Sequence, residues 1–303
     1  MCKPTTLPRR QHSLLLSTES FHCETDKDGK SHPPTKTSLF LTMAILVACL
    51  YGVEHFLRFL LHTYQDSHPV LEPLLNRKIL ARHIGVDVLC CMVVAWYGYL
   101  HRAICMDAFL HAMGKNTMPR AGYESRIFTY HPGSMQLLFL FLTYQAKNMV
   151  DTIVWNDGLL FVVHHLLAGG VAWGGMYPGV AHFYAIFFMG LSEISTGILC
   201  ILANFDDEHG VPGLGDAFPI LKAAIGVLFV IAFITLRSIV WPYMSMHFVR
   251  DVQMAIKADG PQLQGRKFTL NGMMYCLVGL SFLQFVWLIQ IFILAKEEIG
   301  KLL

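Results

Sequence analysis

Two adjacent histidines, His164 and His165, lie within a hydrophobic stretch of the chain, and Glu193 lies within the next such stretch. An ionisable side chain is costly in hydrocarbon, so it usually faces a protein interior or a wet cavity and marks a functional site. An imidazole can act as a general base or as a nucleophile near neutral pH. These three residues are therefore the first candidates for catalysis.

Helical geometry gives the two histidines different directions. Consecutive side chains on an α-helix point roughly 100° apart, so we expect one histidine to line a cavity and the other to bond a neighbouring helix. Residues three, four and seven apart share a helix face, which places Asp157 on the stripe of His164. We expect Asp157 to orient His164, and we count it as the fourth catalytic candidate.

The stretch that carries Glu193 also carries His182, on the same helix face and about 16 Å away along the helix axis. A turn at 176–179 separates this stretch from the histidine stretch and makes the two helices antiparallel neighbours. His164, His165 and Glu193 then lie at similar depths. This arrangement predicts a histidine–glutamate contact across the hairpin.

Arg237 lies deep in a later hydrophobic stretch, shortly before Pro242, which is expected to kink that helix. We expect Arg237 either to balance Glu193 or to bind an anionic lipid or phosphate group. Lys147 and Asp151 are four residues apart and share a helix face beside the histidine stretch. The candidates for substrate binding are accordingly Arg237, Lys147, Asp151 and His182.

Two less specific explanations stay open for these charged groups. A satisfied polar network that holds membrane helices together accounts for them without chemistry, and mutual neutralisation is enough for Lys147 and Asp151. A metal site is disfavoured, because two adjacent histidines cannot easily ligate one ion from one helix face. We expect neither a bound metal nor a bound cofactor. The eight cysteines form no CxxC pair and are expected to pack as small hydrophobic residues.

The composition indicates a membrane protein. Hydrophobic residues make up 54% of the 303 residues and charged residues only 15%, whereas soluble domains carry about a quarter charged residues. The net charge of +2 and the lack of a basic aromatic patch argue against nucleic-acid binding. A membrane-spanning helix needs about 20 mostly apolar residues. About seven stretches meet this requirement, near 38–61, 82–104, 134–153, 157–176, 180–204, 218–247 and 271–296.

The fold class predicted from this pattern is an all-α polytopic membrane protein with about seven transmembrane helices. We divide the chain into a disordered polar tail over 1–36, a first transmembrane helix with its loop over 37–79, and a six-helix membrane domain over 80–298. Short turns after the third and fourth helices predict that helices three, four and five form one compact group. The distribution of Lys and Arg predicts a cytosolic N-terminus.

Several motifs together resemble the TLC domain, over about residues 80–296. They are 144–151 (Tyr-Gln-Ala-Lys-Asn-Met-Val-Asp), 155–158 (Trp-Asn-Asp-Gly), His164-His165, 192–196 (Ser-Glu-Ile-Ser-Thr), Arg237 and Pro242. The resemblance implies a helical membrane barrel with a cavity for an acyl chain. In the ceramide synthases of this family, paired histidines belong to the catalytic motif that transfers an acyl group from acyl-CoA to a sphingoid amine.

The resemblance carries this catalytic role over to His164 and His165, with acyl-CoA as a co-substrate, membrane lipids as partners and the endoplasmic reticulum as the expected location. The chain also departs from the ceramide synthases. They carry His-Asp and a further Asp after the histidine pair, whereas here 189–193 reads Met-Gly-Leu-Ser-Glu. They also place the N-terminus in the lumen, opposite to the distribution of Lys and Arg. The chain is in this respect more similar to the little-characterised TLC-domain proteins, whose common theme is lipid regulation.

Three functions follow as alternatives. The first is an acyltransferase that uses acyl-CoA on a lipid amine or hydroxyl, with His164 or His165 as base or nucleophile. The second is a non-enzymatic protein that senses or handles membrane lipids. The third is a membrane cargo or chaperone partner in which the polar cluster is structural. The first two differ in whether acyl transfer occurs. The third is favoured if His164→Ala and His165→Ala both fold normally and cells keep a normal lipid composition.

Overall fold

The computed structural model describes residues 24–25, 31–32, 36–106, 122–207 and 209–302. The predicted disordered tail lies outside these residues, except for the two-residue strands Glu24–Thr25 and Ser31–His32, which pair antiparallel. The rest of the described chain is almost entirely helical, which confirms the all-α class. The seven long helices are α1 (Lys36–Thr63), α2 (Leu74–Leu100), α3 (Pro132–Trp155), α4 (Leu159–Gly179), α5 (His182–Phe205), α6 (Pro219–Ala258) and α7 (Lys267–Leu302).

Shorter elements interrupt or connect the long helices. Short α-helices lie at Tyr123–Phe128 and Leu214–Ala217, and 3₁₀ turns lie at Gln65–Ser67, Pro69–Leu71 and Pro261–Leu263. Three of the long helices contain a π-helical turn within the described chain, a feature that is frequent at functional sites. These turns are His83–Asp87 in α2, Phe187–Leu191 in α5 and Ile234–Val240 in α6. Helix α4 ends in a kink at Gly175–Gly179, where Tyr177 and Pro178 have non-helical backbone angles.

Each predicted hydrophobic stretch overlaps one of the seven helices. Six helices are long and apolar enough to cross a membrane, and α3 is the exception. Its 24 residues reach about 36 Å, a sufficient length, but polar side chains fill its second half. Gln145, Lys147 and Asp151 are all buried there. The chain is therefore an integral membrane protein in which neighbouring helices bury the polar side chains of α3.

Six of the helices form a closed ring. Helix α4 packs between α3 and α7, α5 packs between α2 and α6, and the ring closes through the α6–α7 and α2–α3 contacts. Helix α1 lies outside the ring against α2 and α3. Large apolar side chains on the outer surface, such as Phe59, Trp96, Leu166 and Phe282, are exposed in the way a lipid-facing surface requires.

The prediction that α3, α4 and α5 form one compact group is wrong in one respect. Helix α3 contacts both partners, but α4 and α5 make no extensive contact along their lengths within the described chain. Helix α5 packs on α6 instead, where the rings of Phe187 and Phe188 contact Trp241 in tilted and edge-on arrangements. The two helices therefore leave their connecting turn and line opposite parts of the ring.

Helices α2 and α5 cross at two glycines. A Cβ atom added to Gly190 would lie 2.8 Å from the Cα atom of Gly98, and one added to Gly98 would lie 2.8 Å from the backbone nitrogen of Leu191. Small residues allow this close backbone approach, which membrane helices use in place of a hydrophobic driving force. The crossing fixes α5, and with it Glu193, against α2.

We predict that Gly190→Ala lowers the thermal stability of the purified protein, because the added methyl group has no space against the backbone of α2. Overpacking of this kind costs about 1–3 kcal/mol. Gly272→Ala is the matched control, since a Cβ atom there meets no atom within 4 Å, and it should leave the melting temperature unchanged or slightly raised. Equal melting temperatures for Gly190→Ala and the wild type, measured in detergent, would contradict this packing.

Candidate functional site

Arg237 is neutralised inside the membrane domain by residues of α5. Its Nη2 donates to Glu193 Oε1 and to Thr196 Oγ1, both at 2.8 Å, and its Nε donates to Ser195 Oγ at 3.1 Å. Arg237 and Glu193 are each 5% exposed. Arg237 was expected to bind either Glu193 or an anionic lipid or phosphate group, and in the structure it binds Glu193. The guanidinium also lies 5.0 Å from the centre of the Trp241 ring, a favourable cation–π distance.

The predicted contact between Glu193 and the histidines is wrong. No hydrogen bond or ion pair in the described chain joins Glu193 to His164 or His165, because α4 and α5 separate after their turn. Glu193 instead lies near α2, with its Oε2 4.0 Å from Cys91 Sγ, and that thiol lies 3.4 Å from Tyr144 Oη on α3.

The two histidines face different helices, as helical geometry requires. The Nδ1 of His165 hydrogen-bonds Gln145 Oε1 on α3 at 2.6 Å. The ring of His164 lies edge-on to Trp287 of α7, with the ring centres 5.2 Å apart. The Nδ1 atom of His164 is buried and has no hydrogen-bond partner in the described part of the chain.

His164 lies on the inner face of α4. Ala168, Val171 and Gly175 follow it at helical spacing; Ala168 is buried, and the other two line an apolar cavity inside the ring. This cavity measures about 20 Å³, which is room for about one water molecule. Side chains from four further helices complete its lining, including Leu138, Tyr184, Phe188, Phe248, Met273 and Leu277.

Asp157 does not orient His164. It precedes α4 and pairs with Arg82 of α2 through contacts of 2.5 Å to Nη2 and 3.3 Å to Nη1. The next residue, Gly158, has a φ of 108°, so the backbone is not helical there. Helix α4 begins only at Leu159, so helical periodicity does not extend back to Asp157 and does not place it on the face of His164.

Lys147 and Asp151 belong to an ionic network that joins α1, α2 and α3. Lys147 is fully buried and pairs with Asp151 and, at 3.2 Å, with Oε2 of Glu54 on α1. Tyr51 of α1 donates to Asp151 at 3.0 Å, and the Nε of Arg82 lies 3.9 Å from Asp151. Both charges are thus occupied by protein partners, which is the geometry of a structural network.

His182 is also held on both sides by the backbone. Its Nδ1 accepts the N–H of His131 and its Nε2 donates to the carbonyl of Gly175, both at 3.0 Å. The side chain is fully buried. These bonds tie the start of α3, the end of α4 and the start of α5 together, and they leave the ring no nitrogen for a substrate. The expected substrate-binding role of His182 is therefore replaced by a role in holding the turn.

Sequence reasoning missed a polar contact at the other end of the barrel. Arg126, in the short helix Tyr123–Phe128, binds both carboxylate oxygens of Asp251 at 2.5 and 2.7 Å, and Tyr184 donates to Asp251 at 2.5 Å. The hydrogen bonds to Asp251 raise the pKa of Arg126 above its ordinary value. Tyr184 lines the cavity, so this contact closes the barrel beside it. The one sequence signal for this contact was Tyr184, a tyrosine among apolar residues near His182.

A second missed residue is Gln284, an amide in an otherwise apolar part of α7. It is 5% exposed, and its Nε2 has no hydrogen-bond partner among the residues that the structure describes. An amide within the hydrophobic stretch 271–296 was the sequence signal for it, although that stretch also contains Asn271 and Gln290. The described chain contains no group of three or more His, Cys, Asp or Glu side chains arranged to hold a metal ion.

We predict that Lys147→Met destabilises the protein, because it leaves the carboxylates of Glu54 and Asp151 without their shared cation. Removal of one partner from a buried ion pair costs about 3–5 kcal/mol. The double variant Lys147→Met/Asp151→Asn should regain part of this loss, and Lys257→Met, at an exposed lysine, should stay within about 0.5 kcal/mol of the wild type. Thermal unfolding of Lys147→Met at the wild-type temperature would show that the network is not structural.

Comparison with known proteins identifies the family. The family model of the TLC domain matches residues 82–293, which is well over half of the chain and agrees with the motifs quoted above. No curated protein and no solved structure matches the chain significantly. The match spans α2 to α7 almost completely, the same six helices that form the ring. The chain therefore belongs to the TLC-domain family.

Proposed function

We propose that this TLC-domain protein takes a membrane lipid into its helical ring and transfers an acyl group from acyl-CoA to it, with His164 as the general base. The observation that carries the proposal is the position of His164. It continues the cavity-lining face of α4, and its buried Nδ1 has no hydrogen-bond partner in the described chain. A buried polar atom without a partner is costly and calls for an explanation, and a substrate group is one.

The distribution of polarity inside the ring supports a lipid as the substrate. On one side of His164 lies the apolar cavity, lined by residues such as Phe188, Phe248 and Leu277. On the other side lies the ionic network around Lys147. An amphipathic molecule with its chain in the apolar part and its polar group at His164 matches this order. Because the cavity has room for about one water molecule, chain binding requires these apolar side chains to move apart.

The chemistry assigned to His164 is a proton transfer. The hydroxyl or amine of the acceptor lipid attacks the thioester carbonyl of acyl-CoA, and its proton passes to the imidazole nitrogen. The new ester or amide bond forms, the carbon–sulfur bond breaks, and the imidazolium returns the proton to the departing thiolate of CoA. General base catalysis of this kind contributes about 10²- to 10⁴-fold to the rate. The endoplasmic reticulum, where family relatives make lipids, is the location we propose.

A second candidate is lipid handling without catalysis. A catalytic base is ordinarily oriented by a third group, and the carboxylates expected for that role are occupied: Glu193 binds Arg237, and Asp157 binds Arg82. Under this alternative the same cavity holds a lipid, and its occupancy reports membrane composition. Both candidates require lipid binding inside the ring, and they differ in whether acyl transfer takes place.

We predict that protein in lipid nanodiscs transfers a labelled acyl group from acyl-CoA to a lipid amine or hydroxyl, and that His164→Ala lowers the rate at least about 100-fold. His165→Ala should have a smaller effect, because His165 is bonded to Gln145 and acts through the packing of α3 on α4. His62→Ala, at an exposed histidine, is the matched control and should retain wild-type activity.

Two outcomes separate the candidates. Wild-type protein that carries co-purified lipid but transfers no acyl group would exclude the acyltransferase and leave lipid handling. Acyl transfer that is unchanged in His164→Ala would show that another residue is the base. Mass spectrometry of the purified protein identifies the co-purified lipid in both cases.

A further inference from the structure

Gln284 shares with His164 the property of being buried with an unused hydrogen-bonding atom. Gln284 is only 5% exposed. It lies on the same face of α7 as the core residues Leu277 and Leu280. The amide Nε2 donates to no acceptor in the described chain. Buried amides are hydrogen-bonded in the great majority of cases, so an acceptor from outside the protein is the natural partner.

The packing of α4 on α7 places Gln284 at the depth of His164. Along this antiparallel pair, a Cβ atom on Gly174 would touch Met273, and one on Gly170 would touch Cys276. One turn further the contact is between Leu167 and Gly279. The same register, continued by one more turn, brings His164 level with residues just before Gln284, and the ring of His164 indeed contacts Trp287, one turn beyond Gln284.

The packing of α6 on α7 gives the same depth independently. Trp241 Nε1 donates to Ser281 Oγ at 3.0 Å across these two helices. Because the helices are antiparallel, Arg237 lies one turn before Trp241 and Gln284 lies about one turn after Ser281, in the same direction along the ring axis. Gln284 is therefore level with the Arg237–Glu193 ion pair as well.

Most of the polar groups at this depth are bonded to each other. His165 is bonded to Gln145, Glu193 to Arg237, and the thiol of Cys91 to Tyr144. Among the ten buried side-chain atoms without a hydrogen-bond partner in the described chain, Nδ1 of His164 and Nε2 of Gln284 lie on the adjacent helices α4 and α7. The polar groups at this depth form a polar layer that is thus incomplete between α4 and α7. Val171 and Leu277, which line the apolar cavity, lie two helical turns away along the same two helices.

We infer that Gln284 and His164 form a hydrogen-bonding site for a lipid that carries an acyl carbonyl close to a free hydroxyl or N–H group. The Gln284 amide donates to the carbonyl oxygen, and Nδ1 of His164 accepts the hydroxyl or N–H proton. A monoacylglycerol has both groups within a few bonds. The inference rests on the proposed lipid binding and adds the class of lipid; it does not require that acyl transfer occurs.

The test compares two lipids that differ only in the carbonyl group. Binding of 1-oleoylglycerol and of its ether analogue 1-O-oleylglycerol is measured by titration of the full-length protein in nanodiscs. Wild-type protein should bind the ester about 10-fold more tightly, the effect of one hydrogen bond to a buried amide. Gln284→Leu should bind both lipids equally, and without lipid its melting temperature should equal or exceed that of the wild type, because it buries no unpaired amide.

Gln290→Leu makes the same substitution on the exposed side of α7 and should keep the 10-fold preference for the ester. Equal binding of the two lipids by wild-type protein would overturn the inference and leave lipid binding intact. Binding of neither lipid would overturn the inference and count against the proposed function. A lower melting temperature of Gln284→Leu, together with an unchanged ester preference, would show that the amide is a structural group.

Discussion

The Arg237–Glu193 ion pair is the constraint on which the interior of this protein depends. An unpaired arginine at membrane depth costs several kcal/mol at least, so the chain must supply a carboxylate at the same level. Glu193 does so at 2.8 Å, and the hydroxyl groups of Ser195 and Thr196 accept hydrogen bonds from Nε and Nη2 of Arg237. The pair fixes α5 against α6, and the Gly98–Gly190 crossing fixes α5 against α2. Glu193 is thereby held away from α4.

This placement decides what the histidines can do. With Glu193 bound to Arg237 and Asp157 bound to Arg82, no carboxylate of the predicted set is left to hold His164. The structure compensates in part through ring contacts with His165 and Trp287. His164 thus has a defined position and an unused nitrogen. The ionic network of Lys147 with Asp151 in the ring and Glu54 on α1 stabilises the packing of α1, α2 and α3.

The parts predicted correctly from sequence depend on local geometry. Hydrophobic length was enough to find the long helices, the 100° step separated His164 from His165, and spacing paired Lys147 with Asp151. The errors arose where the backbone departs from a regular helix. Gly158 breaks the periodicity that linked Asp157 to His164, and α4 and α5 diverge after the short connection that joins them. The first departure is a local glycine conformation in the turn before α4. The second depends on tertiary packing, which spacing along one helix does not encode.

Sequence reasoning missed Gln284 and Asp251 for a different reason. Gln284 is one of three amides in the apolar helix α7, and Asp251 lies near the end of α6, so neither belongs to a motif. Their importance follows from partners on other helices: Arg126 and Tyr184 for Asp251, and the depth of His164 for Gln284. The start of α2 was also placed too late, because its first turns are polar.

The central claim is that the polar layer of the ring is incomplete between α4 and α7 and is completed by a lipid. A cryo-EM map of the wild-type protein in nanodiscs made with native membrane lipids tests it most directly. The account predicts an elongated density inside the ring whose polar end lies within hydrogen-bonding distance, about 3 Å, of His164 Nδ1 and Gln284 Nε2. A map in which both atoms bond protein groups, with no lipid inside the ring, would contradict it.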